Sequence, residues 1–218
     1  MSGKLLDSAN DHCGLTRVKY GGLFYHENDG LVYGIQGEYS DTSDFTTYVT
    51  AVYPSNLSCA STQEITVDLD ESANAIWFHD DYWYLGETAS TSDNPKEIRR
   101  FDEDWNYIDV AFEKSIDVGW QGATVREGIA YVTDHGNVGP YAFFHNDDGT
   151  LSVGDIHSDV DIFEGITWYN SSSNPYRFAM FDNEHGGDGF FNETLQESGS
   201  SAPAVDDSTP PTSSDNWT

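Results

Sequence analysis

The feature that most constrains the fold is a unit of two short strands that recurs along the chain. Each copy has an apolar stretch, a tight polar turn and a second stretch rich in aromatic residues. The copies are GLFYHENDGLVYGIQGE (22–38), AIWFHDDYWYLGETA (75–89), GATVREGIAYVTDHG (122–136) and EGITWYNSSSNPYRFAMFD (164–182). Asn28-Asp29-Gly30 in the first copy and Glu127-Gly128 in the third are typical of hairpin turns. Because helical periodicity is nearly absent, the repeat predicts an all-β chain.

A second pair of strands follows each of the first three hairpins. These pairs lie in TTYVTAVYPSNLSCASTQEITV (46–67), KEIRRFDEDWNYIDVAF (96–112) and PYAFFHNDDGTLSVGDI (140–156). Tyr33, Tyr84 and Tyr131 mark the same strand of successive units. The unit is therefore four strands in roughly 45 to 50 residues, which is the size of one blade in a radial β-sheet repeat.

These residues resemble the repeats of β-propellers, in particular where a third strand ends in F-D-x-D (101–104) or F-H-N-D-D-G (144–149) before a fourth strand. The resemblance covers about residues 13–191. It implies a small propeller of about four blades, each with four antiparallel strands. The fourth unit runs out of strands before the chain changes composition, and CGLTRVKYG (13–21) is expected to supply the strand that closes the ring. A β-sandwich or jelly roll is the alternative fold.

The last part of the chain has a different composition. Residues 193–218 are rich in Ser, Pro, Thr and Asp and poor in apolar side chains, so they cannot build a core. The sequence thus predicts an N-terminal arm (1–12), a β-propeller-like domain (13–192) and an extended, acidic, low-complexity tail (193–218). A chain of 218 residues is long enough for one such domain.

The charge balance restricts both partners and milieu. The chain has 38 Asp and Glu against 9 Lys and Arg, for a formal charge of −29, which excludes nucleic-acid binding through a basic face. An aromatic content of 14% indicates a folded chain rather than a disordered one. At molar salt the Debye length is about 3 Å, so the self-repulsion of such a surface is screened. The composition resembles that of proteins from haloarchaea and their viruses, which indicates a milieu and not an activity.

Cysteines, sequons and the N-terminus bear on the compartment. Cys13 and Cys59 are the only cysteines, and the sequence leaves open whether they are bridged. Glycosylation is also open at the N-x-[ST] sequons, which begin at Asn56, Asn170, Asn192 and Asn216. The start MSGKLLDSANDHCG has no basic-then-apolar segment, and no apolar run approaches about 18 residues. Neither a secretion signal nor membrane insertion is therefore expected.

One stretch, RRFDEDWNYIDVAFE (99–113), has the oxygen spacing of a calcium-binding EF-hand loop. Counted from Asp102, the residues at the first, third, fifth and twelfth places of such a loop are Asp102, Asp104, Asn106 and Glu113. The sixth place, however, needs a glycine and holds Tyr107, and the residues after it alternate as a strand does. The preferred interpretation is a strand ending at Phe101, a polar turn over 102–104 and a fourth strand opening at Trp105. The calcium set is the alternative.

Histidines and catalytic motifs point to no enzyme site. His26, His79 and His145 each follow an aromatic residue and precede a polar turn. A zinc site needs converging side chains, whereas His26 and His79 occupy equivalent places in different units and His145 lies in another strand. The sequence has no G-x-S-x-G and no glycine-rich phosphate loop, and its many carboxylate pairs are expected in so acidic a chain. No catalytic residue and no cofactor is assigned.

Aromatic residues at neighbouring strand positions are the candidate binding residues. They are Trp83 and Tyr84, Trp105 and Tyr107, and Trp168 and Tyr169. Neighbouring strand residues face opposite sides of a sheet, so one ring of a pair leaves the core unless both faces are covered. Two interpretations follow: packing between neighbouring blades, or exposed rings that stack on sugars or on a partner protein.

The function predicted from these observations is a non-enzymatic structural or binding module of a halophilic virus particle, such as a tail fibre, a baseplate protein or a capsid-decorating protein. In the virion it is expected to belong to an oligomeric assembly. Its tail is expected to contact other virion proteins, and one face of the domain to contact host surface glycoprotein or glycan. The alternatives are a haloarchaeal propeller enzyme, a glycoside hydrolase or lyase with its site in the central channel, and an extracellular adhesion protein of the cell surface.

Overall fold

Strands make up all the regular structure of the described residues. The computed structural model describes residues 13–15, 18–39, 45–66, 72–88, 95–114, 119–134 and 141–155, and then the strands within 165–171, 174–182 and 189–194. The strands are β1 (Val18–His26), β2 (Leu31–Tyr39), β3 (Phe45–Val52), β4 (Cys59–Ile65), β5 (Ser72–His79), β6 (Tyr82–Thr88), β7 (Lys96–Phe101), β8 (Tyr107–Lys114), β9 (Trp120–Arg126), β10 (Ile129–Asp134), β11 (Tyr141–His145), β12 (Leu151–Asp155), β13 (Gly165–Ser171), β14 (Asn174–Asp182) and β15 (Gly189–Thr194). The all-β prediction is confirmed.

The strands pair in chain order into four antiparallel sheets. Sheet 1 is β1–β4, sheet 2 is β5–β8 and sheet 3 is β9–β12, each with four strands, while sheet 4 has the three strands β13–β15. The predicted units are thereby confirmed as meanders. Tyr33, Tyr84 and Tyr131 are each the third residue of the second strand of their sheet, as the repeat predicts.

Left-handed turn residues close the first hairpins of sheets 2 and 3. Asp80 and Asp81 have φ of 46° and 65°, and Glu127 and Gly128 have φ of 51° and 78°. Two consecutive residues with positive φ form the turn type whose twist matches that of paired strands. In a meander the turns after the first and third strands lie at the same end. In sheets 1 to 3 these turns are 27–30, 53–58, 80–81, 102–106, 127–128 and 146–150, and we call this the hairpin end.

Sheet 2 is covered on both faces. Trp77, Tyr84 and Ile98 join a buried cluster with residues of sheet 3, such as Phe143. On the opposite face, Trp83 belongs to a second cluster with residues of sheet 1. The first strands of the sheets also meet, since β1, β5 and β9 contact one another and β13 contacts β9. Both faces of the middle sheet are therefore core.

The contact between β1 and β5 depends on a glycine. A Cβ placed on Gly22 would overlap the backbone oxygen of Asn74 in β5. Any larger residue at this position would have to push the two first strands apart. The close approach of sheets 1 and 2 therefore requires glycine at position 22.

Two sequence predictions about strand ends are wrong. Residues 18–21 of the CGLTRVKYG segment belong to β1, and residues 18–20 pair with β2, so these residues do not complete the fourth sheet. The fourth strand of sheet 2 begins at Tyr107 rather than Trp105, because Trp105 has φ of 65° and lies in the turn. At the C-terminal boundary, β15 ends at Thr194, and residues 1–12 and 195–218 lie outside the described part of the chain.

A disulfide joins Cys13 to Cys59. The sequence alone had left open whether these two cysteines are bridged. Their Cα atoms are 5.3 Å apart, and Cys59 is the first residue of β4. The Thr62 hydroxyl donates a 3.3 Å hydrogen bond to the backbone oxygen of Cys13. The residues before β1 are therefore fastened to β4, the last strand in the order of sheet 1.

Candidate functional site

Large apolar side chains are exposed around the hairpin end. Those with high exposure among the described residues are Leu23, Tyr25, Tyr53, Leu57, Tyr107, Ile108, Phe144 and Val153. Each lies in a turn of the hairpin end or on a strand close to one. Singly exposed apolar residues need no explanation, but several of them at one end of a rigid scaffold mark that end as a candidate contact surface.

Carboxylates surround these side chains. Five of the six turns at the hairpin end carry at least one acidic residue, and the exception is the turn 53–58, with the uncharged sequence YPSNLS. Asp80, Glu103, Asp104 and Asp147 are all exposed. The candidate surface therefore combines rings and aliphatic groups with negative charge.

An aromatic layer between sheets 1 and 2 supports this surface. Trp83 stacks on Trp105 with ring centroids 4.6 Å apart and an interplanar angle of 19°. The ring centroids of Tyr33 and Trp83 are 4.4 Å apart. The rings of His26 and Phe78 pack edge to face, with centroids 4.5 Å apart. Such contacts are worth about 0.5 to 1.5 kcal/mol each beyond the area that they bury. The layer holds the turn that contains Trp105 against sheet 1.

The β1–β2 turn is fixed by Asp29. Its carboxylate accepts a 2.7 Å hydrogen bond from the Tyr33 hydroxyl and a 2.9 Å bond from the Leu31 N–H, and its Oδ2 lies 3.1 Å from His26 Nδ1. Burial alone raises the pKa of Asp29, but these hydrogen bonds outweigh burial and leave its pKa below the ordinary value. Burial and the bond to Asp29 raise the pKa of Tyr33 well above its ordinary value. Asp29 therefore stays ionised and acts as a structural acceptor.

Between sheets 2 and 3, two histidines stack. The rings of His79 and His145 lie with centroids 3.8 Å apart and an interplanar angle of 27°. The sequence-based expectation that these histidines do not converge is therefore wrong for His79 and His145. It compared positions along single strands, whereas the end of β11 is brought against the end of β5 by the packing of the two sheets.

Both ring nitrogens of His145 are engaged. Nε2 accepts a 3.2 Å bond from the Trp77 indole N–H, and Nδ1 lies 2.9 Å from the Gly128 backbone oxygen. Because the indole only donates and the carbonyl only accepts, the ring must be neutral with its proton on Nδ1. Burial lowers the pKa of His145 to about 4. At neutral pH this histidine is a structural link between sheets and offers neither nitrogen to a metal.

Arg100 is another polar link between sheets 2 and 3. Its guanidinium makes a two-point ion pair with Asp109, at 3.0 and 2.7 Å, and donates a 3.2 Å bond to the Asp148 backbone oxygen. It also lies over the Tyr82 ring, 5.0 Å from the centroid. Burial would lower the pKa of Arg100, but the bonds to Asp109 raise it above the ordinary value. A planar, permanently charged group is needed to satisfy all these partners at once.

The predicted binding aromatics divide into buried and exposed groups. Trp83 and Tyr84 are 3% and 1% exposed, so the prediction of exposed rings is wrong for them and core packing is the correct interpretation. Burial also raises the pKa of Tyr84 to about 12. Trp105 is partly buried against Trp83, whereas Tyr107 is 44% exposed. Trp168 and Tyr169 lie on β13, and their side chains are outside the described part of the structure.

The calcium-like segment forms a turn. The Asp102 carboxylate accepts bonds from the N–H groups of Asp104 and Asn106 at 3.0 and 2.8 Å, and from the Asn106 amide at 2.9 Å. These bonds, led by the one from the Asn106 side chain, lower the pKa of Asp102. Glu113 lies near the far end of β8, away from the turn. Within the described residues no three acidic, histidine or cysteine side chains form a metal-binding group.

Sequence reasoning missed the exposed residues Tyr25, Tyr53 and Phe144. A signal was present for Tyr25, because it alternates with the inward-facing Phe24 on β1. Tyr53 precedes a proline in an exposed turn. Phe144 carries no such signal, since its neighbour Phe143 is equally apolar and only packing shows which of the two is buried.

Comparison with known proteins does not assign the chain to a family. No known protein family matches the chain, and no curated protein is significantly similar to it. The described residues include no helix long and apolar enough to cross a membrane.

Proposed function

We propose that the chain is a non-enzymatic structural and binding module of a halophilic virus particle, a tail fibre, baseplate or capsid-decorating protein that meets its partner through the hairpin end. The observation that carries this proposal is the set of exposed aromatic and aliphatic side chains at that end. Aromatic residues are the side chains that most often dominate the binding energy of protein interfaces, and they also stack on sugar rings.

We propose further that the four sheets form a four-bladed β-propeller, a scaffold that suits this role. Three meanders of four strands follow one another along the chain, their first strands meet, and the middle sheet is covered on both faces. In a propeller, first strands line the axis and each blade is covered by its neighbours. The backbone at one end of such a ring is held in place by the whole core, so little backbone entropy is lost when a partner binds.

The halophilic assignment rests on charge. A chain with a formal charge of −29 repels itself in dilute buffer and is screened at molar salt. Under such screening, apolar and stacking contacts hold a complex together where surface ion pairs do not. A binding surface built from rings among carboxylates fits this condition.

The test is co-sedimentation of the full chain with haloarchaeal virus particles and with host envelope at molar salt. We expect binding to particles or to envelope, weakened about tenfold by each of Tyr25→Ser, Tyr107→Ser and Phe144→Ser, because each removes about 1 to 2 kcal/mol of contact. Ser61→Ala, on the exposed part of β4, is the matched control and leaves binding unchanged. A chain that stays monomeric, binds neither preparation and hydrolyses a glycoside would overturn the proposal.

A further inference from the structure

The turn between β3 and β4 contains the sequon Asn56-Leu57-Ser58 in an exposed position. The Asn56 side-chain oxygen accepts two hydrogen bonds from the third residue of the sequon, a 3.0 Å bond from the Ser58 N–H and a 2.9 Å bond from the Ser58 hydroxyl. Leu57 has φ of 57°, which bends the backbone so that both groups of Ser58 reach the amide. The hydroxyl that defines a sequon is thus already in contact with the acceptor asparagine.

The amide nitrogen of Asn56 is available. Its own backbone N–H bonds to Tyr53, and its side-chain oxygen is occupied by Ser58, but no described residue accepts a hydrogen bond from Nδ2. Every residue of the turn 53–58 is exposed. A sugar on Nδ2 would therefore extend into solvent without displacing a packed side chain.

The other sequons are placed differently. Asn170 lies in β13 at a register shift between Tyr169 and Ser171, and the third residue of its sequon lies outside the described residues. Asn192 lies within β15 and pairs with Ala179. Paired, extended backbone does not form the bend that brings a hydroxyl onto the asparagine side chain two residues before it. Asn216 lies outside the described part of the chain. Asn56 is the sequon for which the structure describes both exposure and the bend.

Two further features of this turn agree with modification. It is the one turn of the hairpin end, among the described residues, without an acidic residue, so its solubility does not come from charge. The next residue after the sequon, Cys59, is disulfide-bonded to Cys13. Disulfides persist in oxidising compartments outside the cytosol, which is also where asparagine glycosylation takes place.

We infer that Asn56 is an N-glycosylation site, modified by a membrane oligosaccharyltransferase that uses a lipid-pyrophosphate-linked oligosaccharide. In the transfer, Asn56 Nδ2 forms a bond to the anomeric carbon of the first sugar and loses one proton. The bond between that carbon and the pyrophosphate oxygen breaks, and the lipid pyrophosphate leaves with the electron pair. No oxidant or reductant is required. The glycan covers the turn 53–58 and leaves the rest of the hairpin end open.

The inference is tested on the purified, disulfide-bonded full chain, incubated with a single-subunit oligosaccharyltransferase and a lipid-linked oligosaccharide. Tandem mass spectrometry of the unmutated chain then locates the glycan. We expect about one glycan per chain, on Asn56, because its sequon is exposed and already bent, whereas the sequon in β15 is held in paired strands. Asn170→Gln, the matched control, keeps the mass increase, and Asn56→Gln loses it.

A synthetic peptide with the sequence of the turn, YPSNLS, shows that the enzyme is active. If the peptide is glycosylated while Asn56 of the folded chain is not, the inference is overturned. It is overturned equally if Asn56→Gln retains the full mass increase. Mapping on the unmutated chain requires no variant to fold, and the readout is independent of binding to particles or envelope, so failure here leaves the proposed function standing.

Discussion

The indole N–H of Trp77 donates a hydrogen bond to Nε2 of His145 across the boundary between sheets 2 and 3, with 3.2 Å between the two nitrogens. The indole N–H can only donate, so this bond, made by a fully buried tryptophan, requires an unprotonated Nε2 and therefore a neutral histidine. A core contact between two sheets is thereby coupled to pH.

Acidification should weaken the fold through His145. Its pKa is lowered from 6.5 to about 4 in the folded chain, so between these values the unfolded chain binds more protons and stability falls as pH falls. His145→Gln keeps an acceptor for Trp77 without titrating. Urea unfolding at molar salt over this pH range should show a shallower pH dependence of the unfolding free energy for the variant. Equal slopes for the two proteins would contradict this prediction.

Gly149→Ala should be markedly destabilising. Gly149 has φ of 82°, and a Cβ there would overlap Nη1 of Arg100, which its pair with Asp109 holds in place. We expect a loss of about 2 to 4 kcal/mol, from backbone strain and a displaced charged hydrogen bond.

Gly30→Ala is the matched control for Gly149. Gly30 also lies in a hairpin turn, with φ of 72°, but the nearest atom to an added Cβ is the Tyr25 hydroxyl at 3.9 Å. Strain alone predicts a loss of about 1 kcal/mol. In an Arg100→Ala background the two glycine variants should lose similar amounts by urea unfolding. A persistent difference would show that Arg100 is not the cause.

Neighbouring aromatic residues should differ sharply in their contribution to stability. Trp83→Ala empties a buried position in the layer between sheets 1 and 2 and should destabilise the chain by about 3 to 5 kcal/mol. Tyr107→Ala, at a ring that is 44% exposed, should lose about 1 kcal/mol or less. Thermal and urea unfolding measure both. Similar losses for the two variants would contradict the assignment of Trp83 to the core.

Removal of the disulfide should destabilise the folded state through the unfolded chain. Cys13 and Cys59 are separated by 46 residues, and closing a loop of this size stabilises a protein by roughly 4 kcal/mol in the chain-entropy treatment. Cys13→Ser with Cys59→Ser should lose about that amount, and reducing agent should have the same effect on the parent chain. Reductant should leave the stability of the double variant unchanged. A loss below about 1 kcal/mol would show that the bridge does not restrict the unfolded chain.

The strands were predictable because their signals are local. Alternation with a period of two and turn residues such as Glu127-Gly128 depend only on neighbours in the chain, and the structure has strands and turns at those places. The end of β7 at Phe101 was predictable for the same reason. The start of β8 was not predictable, because the Asp102 carboxylate accepts a hydrogen bond from the N–H of Asn106 and extends the turn beyond Trp105.

The candidate site was less predictable than the strands. Trp83 and Tyr84 point to opposite faces of one sheet, and the sequence cannot tell whether a second sheet covers each face. Tyr107 belongs to the same predicted set and is exposed, because it opens an outer strand at the hairpin end. Exposure depends on neighbours that are distant in the chain. Aromatic residues with the same local sequence pattern were therefore buried in one case and exposed in another.

The sequence alone determined the β-strands, the repeat, the hairpin turns and the charge of this protein, since propensity, alternation and net charge are properties of residues and their near neighbours. Only the tertiary structure decided that His79 stacks on His145, that Cys13 is bonded to Cys59, and that apolar side chains are exposed at the hairpin end. These features depend on which sheet lies against which. That choice is made by summing many weak contacts over the whole core, and no single segment carries it.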